Sequence, residues 1–302
     1  MAKVSIIIPV YNGARTVPSA LASVFAQSYT DYEVVVVDDG STDDTAVVLA
    51  GYKDRIHAIS QPNSGASTAR NAGIRASGGE YVAFLDDDDE WMPEMLERCA
   101  AVLDRDPNCV LVYAGAYKID SNGRPMPNQD SQTWGLDSPT LAQMLERPWN
   151  VVPSRVMVRR ATLERSGGFD ERCVRADDIY FLLLAREHGY FRSVPELLVR
   201  KSTRPLYPTA LKRERGYEVF VRLVRERYGA AATPLIREFR RMRMKVMKHM
   251  ARLLIEEGQT REARRCLARV IYYQPASPKA YRRYLKTFLP RRVPSRTGDG
   301  KA

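Results

Sequence analysis

The sequence predicts an α/β fold: a doubly wound, mostly parallel sheet flanked by helices, followed by a basic, all-helical C-terminal region. Three observations carry this expectation. Runs of β-branched residues recur with helix-forming stretches between them, the pattern of βαβ units. The runs are apolar throughout rather than alternating, as strands covered on both faces must be. Charge then divides the chain. Of 47 Lys+Arg and 36 Asp+Glu in 302 residues, 28 basic and 8 acidic residues fall from Arg200 onward. Positions 1–199 therefore carry −9 and the remainder +20, so two regions of different purpose are expected.

Each element follows in order. Residues 3–11, KVSIIIPVY, read as a buried strand, and Val17, Leu21, Val24 and Phe25 then recur at helical spacing. YEVVVVDDGSTDDT is a second strand running into an acidic turn, where Ser41 or Thr42 is expected to cap a helix carrying Val47, Val48 and Leu49. RIHAISQ is a third strand, GASTARNAGIRAS a helix of small residues, and GEYVAFL a fourth strand that stops at four consecutive aspartates. CVLVYAGAYKID and NVVPSRVMVRR add strands, ATLERSGGFDE a short helix with a glycine stop, and ADDIYFLLLAREHGY a helix with an acidic start suited to the helix dipole. From about Ala210 the pattern is helical. Leu235, Phe239, Met242, Val246, Met250 and Leu253 form one stripe, with Arg237, Arg240, Arg241, Lys245, Lys248 and Arg252 on other faces. The expected division is a catalytic domain over 1–209, a basic helical subdomain over 210–290 and a disordered tail over 291–302.

Several function classes are excluded early. Cys99, Cys109, Cys173 and Cys266 lack the spacing of a zinc site or a disulfide framework and suit a reducing compartment. The N-terminal apolar run is too short for a signal peptide, and no window reaches the roughly 18 apolar residues of a membrane span. A cytoplasmic protein is expected. Neither G-x-G-x-x-G nor G-x-x-x-x-G-K-[ST] follows the first strand, which disfavours a dinucleotide fold and a P-loop. In open α/β sheets ligands bind at the carboxyl ends of strands. Here those ends are VYNG, DDGSTDD, QPNSGAS and DDDDEW, all polar and two strongly acidic. A divalent cation with oxygen ligands is the simplest partner for such a cluster.

VSIIIPVYNG, VVVVDDGSTDDT, NSGASTARNAGI, GEYVAFLDDDDEWMP, SGGFDE and ADDIYFLLLAREHGY occur in the order and spacing of one family. Over residues 3–205 the chain resembles the family 2 glycosyltransferases, inverting enzymes with a GT-A fold. The resemblance implies that Pro9, Val10, Tyr11 and Asn12 line a nucleoside pocket with Tyr11 packed on the base. Asp39 would hydrogen-bond that base, with Asp38 supporting the loop, and Arg70 would lie near base and diphosphate. Asp86, Asp87 and Asp88 match the family's D-x-D pattern, with Asp89 in support. The four-residue run leaves the register open by one position. Asp88 is preferred as direct ligand of Mn2+ or Mg2+, Asp86 as a ligand acting through water, and Asp87 as facing ribose or sugar. ADDIY corresponds to the family's E-D pair, with Asp177 at the glutamate position and Asp178 in register with the general base. SGGFDE would shape the acceptor-side turn. Many relatives carry a basic segment with a histidine after this helix. Here VRKSTRP has no histidine, and Arg200, Lys201 or Arg204 would take over contacts to the diphosphate.

The implied partners are a nucleotide-diphospho-sugar donor, UDP-linked by preference, and a glycan or lipid-linked acceptor in a cell-envelope setting. A sugar-nucleotide-forming nucleotidyltransferase and a non-catalytic nucleotide-sugar-binding module are the rivals. VYNGART is a poor phosphate loop for the first, and retention of Asp39, the aspartates and Asp178 together argues against the second. The basic helices suit an anionic membrane surface, which would make the protein peripheral on the cytoplasmic face. Plain packing or a homo-oligomer contact is the main alternative. Nucleic acid is disfavoured because the aromatics are not interleaved as stacking platforms.

Overall fold

The computed structural model describes residues 2–119, 140, 143, 152–174, 176–202 and 207–288, with the backbone alone for 207–215. Arg204, Trp134, Trp149, most of the 125–148 stretch and the 291–302 tail lie outside the described residues. Two compact units emerge: Met1–Pro205 with Lys212–Glu238, and Leu206–Leu211 with Phe239–Ala302.

Among the described residues the first unit is built on eight strands: β1 (Val4–Val10), β2 (Tyr32–Asp38), β3 (His57–Ser60), β4 (Tyr81–Phe84), β5 (Glu90–Trp91), β6 (Cys109–Ile119), β7 (Val156–Arg159) and β8 (Tyr190–Ser202). Their order across the sheet is β3-β2-β1-β4-β7-β6-β8-β5. The first four pair in parallel, β7 runs antiparallel to both neighbours, and β5 is antiparallel to β8. The sheet is thus mixed, with β5 and β7 opposed to the rest.

Alternation along the strands sorts the apolar residues into two cores. Ile6, Ile8, Val34, Val36 and Ala83 face one side with α1 (Val17–Phe25) and α4 (Met95–Arg105). Ile7, Val35, Val37, Val82 and Phe84 face the other, against Ala69, Phe169, Phe181 and Leu182. The register explains the match, since Ile7 sits beside Val35 on one side and Phe84 on the other. Ile6, Ile7 and Ile8 are fully buried, and each such side chain contributes about 1.5–3 kcal/mol. Strands this apolar can only be central and covered twice, as the sequence indicates.

Several features differ from expectation. β5, α4 and the long β8 were not anticipated. β8 contains Pro195, which argues against a strand. The structure accommodates it in a bulge, because Val194 pairs with Ala114 and Leu197 with Gly115 next along. Gly115 lies opposite, where a Cβ would meet the Glu196 carbonyl oxygen at 2.5 Å. Helix α2 (Thr45–Ala50) is not capped by Ser41 or Thr42. Those residues bond back to Asn12, and Asp43 instead accepts the Thr45 N–H at 3.1 Å.

The remaining helices of the first unit are α3 (Ala66–Arg75), α5 (Arg160–Ser166), α6 (Asp177–Arg186) and most of α7 (Tyr207–Tyr228). Phe220 of α7 meets Tyr180 of α6 edge-on at 6.1 Å, and Arg227 and Tyr228 both bond Glu187. The second unit holds most of α8 (Ala232–Glu256), with α9 (Thr260–Tyr273) and α10 (Pro278–Lys286). Its small cores join Met244 and Met247 to Val270 and Ala280, and Ala251 and Leu254 to Ala263, Cys266 and Leu267. Val246 and Leu253, expected on the buried stripe of α8, are half-buried, whereas Met247 and Leu254 are buried. All four cysteines are buried and free. No helix among the described residues is long and apolar enough to cross a membrane.

Candidate functional site

The loops following β1, β2, β3 and β4 converge at the carboxyl ends of the parallel strands, and α3 and α6 add their first turns. After β1, Pro9 and Val10 are buried in the strand end while Tyr11 is 51% exposed. Asn12 takes a left-handed φ of +53°, which asparagine tolerates better than most residues. Its backbone N–H donates to Ser41 Oγ at 2.9 Å, and its Oδ1 accepts the Thr42 N–H at 2.8 Å. Gly13 N–H donates to Thr45 Oγ1 at 2.9 Å. These bonds lace the first loop to the second and leave the Tyr11 ring outward. Gly13 is required sterically: a Cβ there would meet Val10 Cγ2 at 2.5 Å and Asp87 Oδ2 at 2.6 Å.

The two acids after β2 divide the work of the loops. Asp38 accepts the Ser41 N–H at 2.9 Å. Asp39 accepts from Gln61 Nε2 (2.8 Å) and from the N–H groups of Ser64 (2.9 Å) and Gly65 (2.8 Å). A carboxylate offers about four acceptor positions, so one on Asp39 is available to a ligand donor. Both aspartates are therefore loop supports, and Asp39 joins the second and third loops.

Arg70 of α3 is the hinge of the site. Its guanidinium donates to Asp86 Oδ1 at 2.7 Å and to Asp177 Oδ2 at 3.1 Å, with 7% of the side chain exposed. Its carbon end lies 5.2 Å from the Phe169 ring centroid. Burial opposes its charge, but Asp86, Asp177 and Asp178 outweigh that and hold it protonated above the usual arginine range. Nε of Arg70 is buried without a partner among the described residues. Ser67 Oγ also donates to Asp177 at 2.9 Å, so Asp177 pins the start of α6 to α3. The neighbouring Asp178 is half-buried and accepts the Ile179 N–H at 2.8 Å. The SGGFDE turn reaches the same helix. Asn71 exchanges hydrogen bonds with the Phe169 backbone at 2.8 and 3.0 Å.

In the aspartate run the four carboxylates have separate surroundings. Asp87 is buried and accepts Thr16 Oγ1 at 2.7 Å, turned toward the β1 loop. Asp86, Asp88 and Asp89 place one carboxylate oxygen each within 4.8 Å of one another. Asp89 is 1% exposed. It accepts Ser154 Oγ (2.6 Å), Lys201 Nζ (3.0 Å) and the Ser202 N–H (3.0 Å). Sheet register makes this pairing: Glu90 lies opposite Arg200 and Trp91 opposite Val199, so one step back brings Lys201 to Asp89. Burial pushes the Asp89 carboxyl above its usual range, with Lys201 opposing. Burial likewise works against the Lys201 charge, but Asp89 and Asp86 hold it protonated.

Asp89 thus spends three of about four acceptor positions on protein donors, and the Lys201 ammonium matches its charge. The carboxylates fitted to a hard cation, which prefers oxygen ligands, are Asp88 and Asp86, the latter sharing Arg70. Arg200 bonds Glu90 at 2.8 Å and Lys201 bonds Asp89, so in the structure both cations serve the aspartate loop. Sequence reasoning missed Thr16, Ser67 and Ser154. Ser154 binds the Asp86 N–H at 3.1 Å, while its carbonyl accepts Trp91 Nε1 at 2.7 Å. No local signal marks it, because its partners lie more than sixty positions away.

A profile of Glycosyl transferase family 2 matches residues 5–165. An uncharacterized glycosyltransferase of Rickettsia typhi is 32% identical over 225 residues, covering 71% of this chain and 69% of the relative. The putative teichuronic acid biosynthesis glycosyltransferase TuaG of Bacillus subtilis is 36% identical over 127 residues, 41% of this chain and 50% of the relative. Among solved structures, S. aureus TarS 1-349 in complex with UDP-GlcNAc superposes with a TM-score of 0.66 at 19% identity, over 95% of this chain and 89% of TarS 1-349. The mannosyltransferase PcManGT of Pyrobaculum calidifontis, in complex with GDP-Man and Mn2+, gives 0.56 at 19% identity, over 94% and 79%.

Proposed function

The chain belongs to glycosyl transferase family 2 and is a glycosyltransferase, and from that premise we propose an inverting, metal-dependent transfer of a sugar from a UDP-sugar to an acceptor hydroxyl. The observation that carries the proposal is the cluster of Asp86, Asp88 and Asp89 oxygens at the end of β4, beside the loops that would receive a nucleoside. TarS binds UDP-GlcNAc and PcManGT binds GDP-Man with Mn2+, which supports a nucleotide-diphosphate donor on this fold. TuaG supports cell-envelope polysaccharide or glycolipid synthesis as the setting. A glycan or lipid-linked acceptor on the cytoplasmic face of a membrane belongs to the same reading.

Asp88 and Asp86 would hold Mn2+ or Mg2+, which supplies neutralisation of diphosphate charge as the leaving group departs. The chain's own residues account for the rest. Tyr11 packs on the base, Asp39 accepts from it, and Pro9, Val10 and Asn12 shape the pocket wall. Asp87 orients the β1 loop through Thr16. Arg70 pairs with Asp86 and fixes α6 through Asp177. That fixing leaves Asp178 as the base, taking the acceptor hydroxyl proton as its oxygen attacks the anomeric carbon opposite the leaving group.

The test is titration of UDP and a UDP-sugar panel against the protein with and without Mn2+, read by calorimetry and by UDP release. Metal-dependent binding that Asp88→Ala removes is expected. Absence of any UDP or UDP-sugar binding in the presence of metal sinks the proposal. Pyrophosphate release from UTP and a sugar phosphate would favour a nucleotidyltransferase instead.

A further inference from the structure

Within the second unit, α10 has three distinct faces. Ala280 and Thr287 are buried, and Tyr284 packs on the core formed with Leu254 and Leu267, so this face holds the helix down. Arg264 strengthens the hold by donating to Thr287 Oγ1 at 3.1 Å and to its carbonyl at 2.9 Å. Tyr281, Leu285 and Phe288 recur at i, i+4 and i+7, one helical stripe, and are 42%, 65% and 56% exposed. Lys279, Arg282 and Lys286 occupy a third, exposed face. Tyr272, at the end of α9, is 73% exposed. Phe288 meets the Tyr284 ring edge-on at 5.4 Å and the Arg264 guanidinium at 4.0 Å, yet much of it, with Tyr281 and Leu285, still faces water in one line.

Beside this helix is a cavity of about 760 Å³ whose lining includes Leu267, Pro275, Pro278, Lys248, Lys279 and Arg283. Its walls are largely apolar, and among the described residues its charged groups are all cations and no carboxylate lines it. Lys248 is held at the wall by a 2.6 Å bond to Gln274 Oε1. Between Ala263 and Phe288 the chain has seven Lys or Arg and no Asp or Glu.

We infer that the α10 face and its cationic cavity form the surface by which the protein docks on an anionic phospholipid membrane. Tyr281, Leu285 and Phe288 enter the headgroup boundary, Lys279, Arg282 and Lys286 meet lipid phosphates, and the cavity seats one anionic headgroup with part of its apolar chain. An amphipathic helix with cations beside an apolar stripe suits this plane. Self-association fits less well, because two copies of the face with its cavity would oppose five cations (Lys248, Lys279, Arg282, Arg283 and Lys286) to five. The inference deepens the envelope setting proposed above by naming the contact, and its readout is independent of sugar transfer.

The full chain is cosedimented with phosphatidylcholine vesicles and with vesicles containing phosphatidylglycerol, over increasing salt. Binding to the anionic vesicles alone, weakened by salt, is expected. Arg282→Ser with Lys286→Ser should lower partitioning roughly 30-fold. Leu285→Ser with Phe288→Ser should also release the protein, and Lys248→Met with Arg283→Met should abolish the preference for phosphatidylglycerol. Far-ultraviolet circular dichroism and the thermal unfolding midpoint should be the same in all three variants, which shows them folded. Equal sedimentation of wild type and variants overturns the inference. So does failure to bind anionic vesicles at low salt, a dimer in light scattering that the Leu285 and Phe288 changes dissolve, or retention on an RNA oligonucleotide in place of vesicles.

Discussion

Replacing Arg70 by methionine tests the electrostatic frame of the site most directly. The substitution keeps an apolar stem of similar reach but leaves Asp86 and Asp177 facing each other without their shared cation. Removing one partner of a buried ion pair costs about 3–5 kcal/mol, because the remaining charge stays desolvated. Arg70 is 7% exposed, Asp177 14% and Asp86 25%. Water therefore screens part of the Asp86 penalty, which places the loss near the lower end, about 3 kcal/mol. For a unit of this size each kcal/mol lowers the unfolding midpoint by roughly 2–4 °C, so a fall of about 6–12 °C is expected. Thermal unfolding followed by circular dichroism measures it. Arg70→Met combined with Asp177→Asn should cost less than the two single changes summed, since the asparagine removes the orphaned charge. A loss below about 1 kcal/mol for Arg70→Met, or costs that add to within about 0.5 kcal/mol, would refute the bridge.

Other expectations are more local. Asp178→Asn should lower kcat by roughly 10²–10⁴ while leaving UDP-sugar affinity intact, the signature of a lost base; unchanged turnover would remove the assignment. Lys201→Met should destabilise the fold by about 3 kcal/mol by stranding the buried Asp89 carboxylate, and adding Asp89→Asn should restore much of the loss in urea denaturation. Glu33 is a pH probe. Burial alone would raise its pKa, but the Gly78 N–H, the Ser5 hydroxyl, the Gly79 N–H and Arg160 hold it below the usual carboxylate range. A carboxyl depressed in the folded state contributes stability above its unfolded pKa and loses it as pH falls through the folded one. Glu33→Gln should thus cost about 1–2 kcal/mol at neutral pH and progressively less below roughly pH 4. A cost independent of pH would contradict that account.

The central strands were legible because their chemistry is local: Ile6 to Ile8 and Val34 to Val37 read as twice-covered strands and are so. The motif loops were legible too, since VYNG, DDGS and DDDD each follow such a strand. What escaped depends on distance or on compensation. Helix α4 carried a usable pattern in Met95, Leu96, Cys99 and Leu103 and was passed over. β8 was obscured by Pro195, whose missing N–H matters less in a bulge. The role of Lys201 follows from strand pairing and that of Ser154 from hydrogen bonds, both across more than sixty residues. Lys201, one of three candidates with Arg200 and Arg204 for the diphosphate contact, pairs with Asp89 across the sheet. Arg70 was expected near base and diphosphate, and its double ion pair to Asp86 and Asp177 adds a role that no local pattern encodes.

The seam between β5 and β8 has a consequence in time. β5 is two residues long and pairs with β8, which is finished 113 positions after Asp89. A growing chain that has made the first four strands already owns all four aspartates but not the lysine and backbone N–H that seat the last of them. Closing so long a loop is slow relative to local steps. The seat of Asp89 is thus expected to close after the first four strands, and a chain stopped before Lys201 should carry the motif without its set geometry.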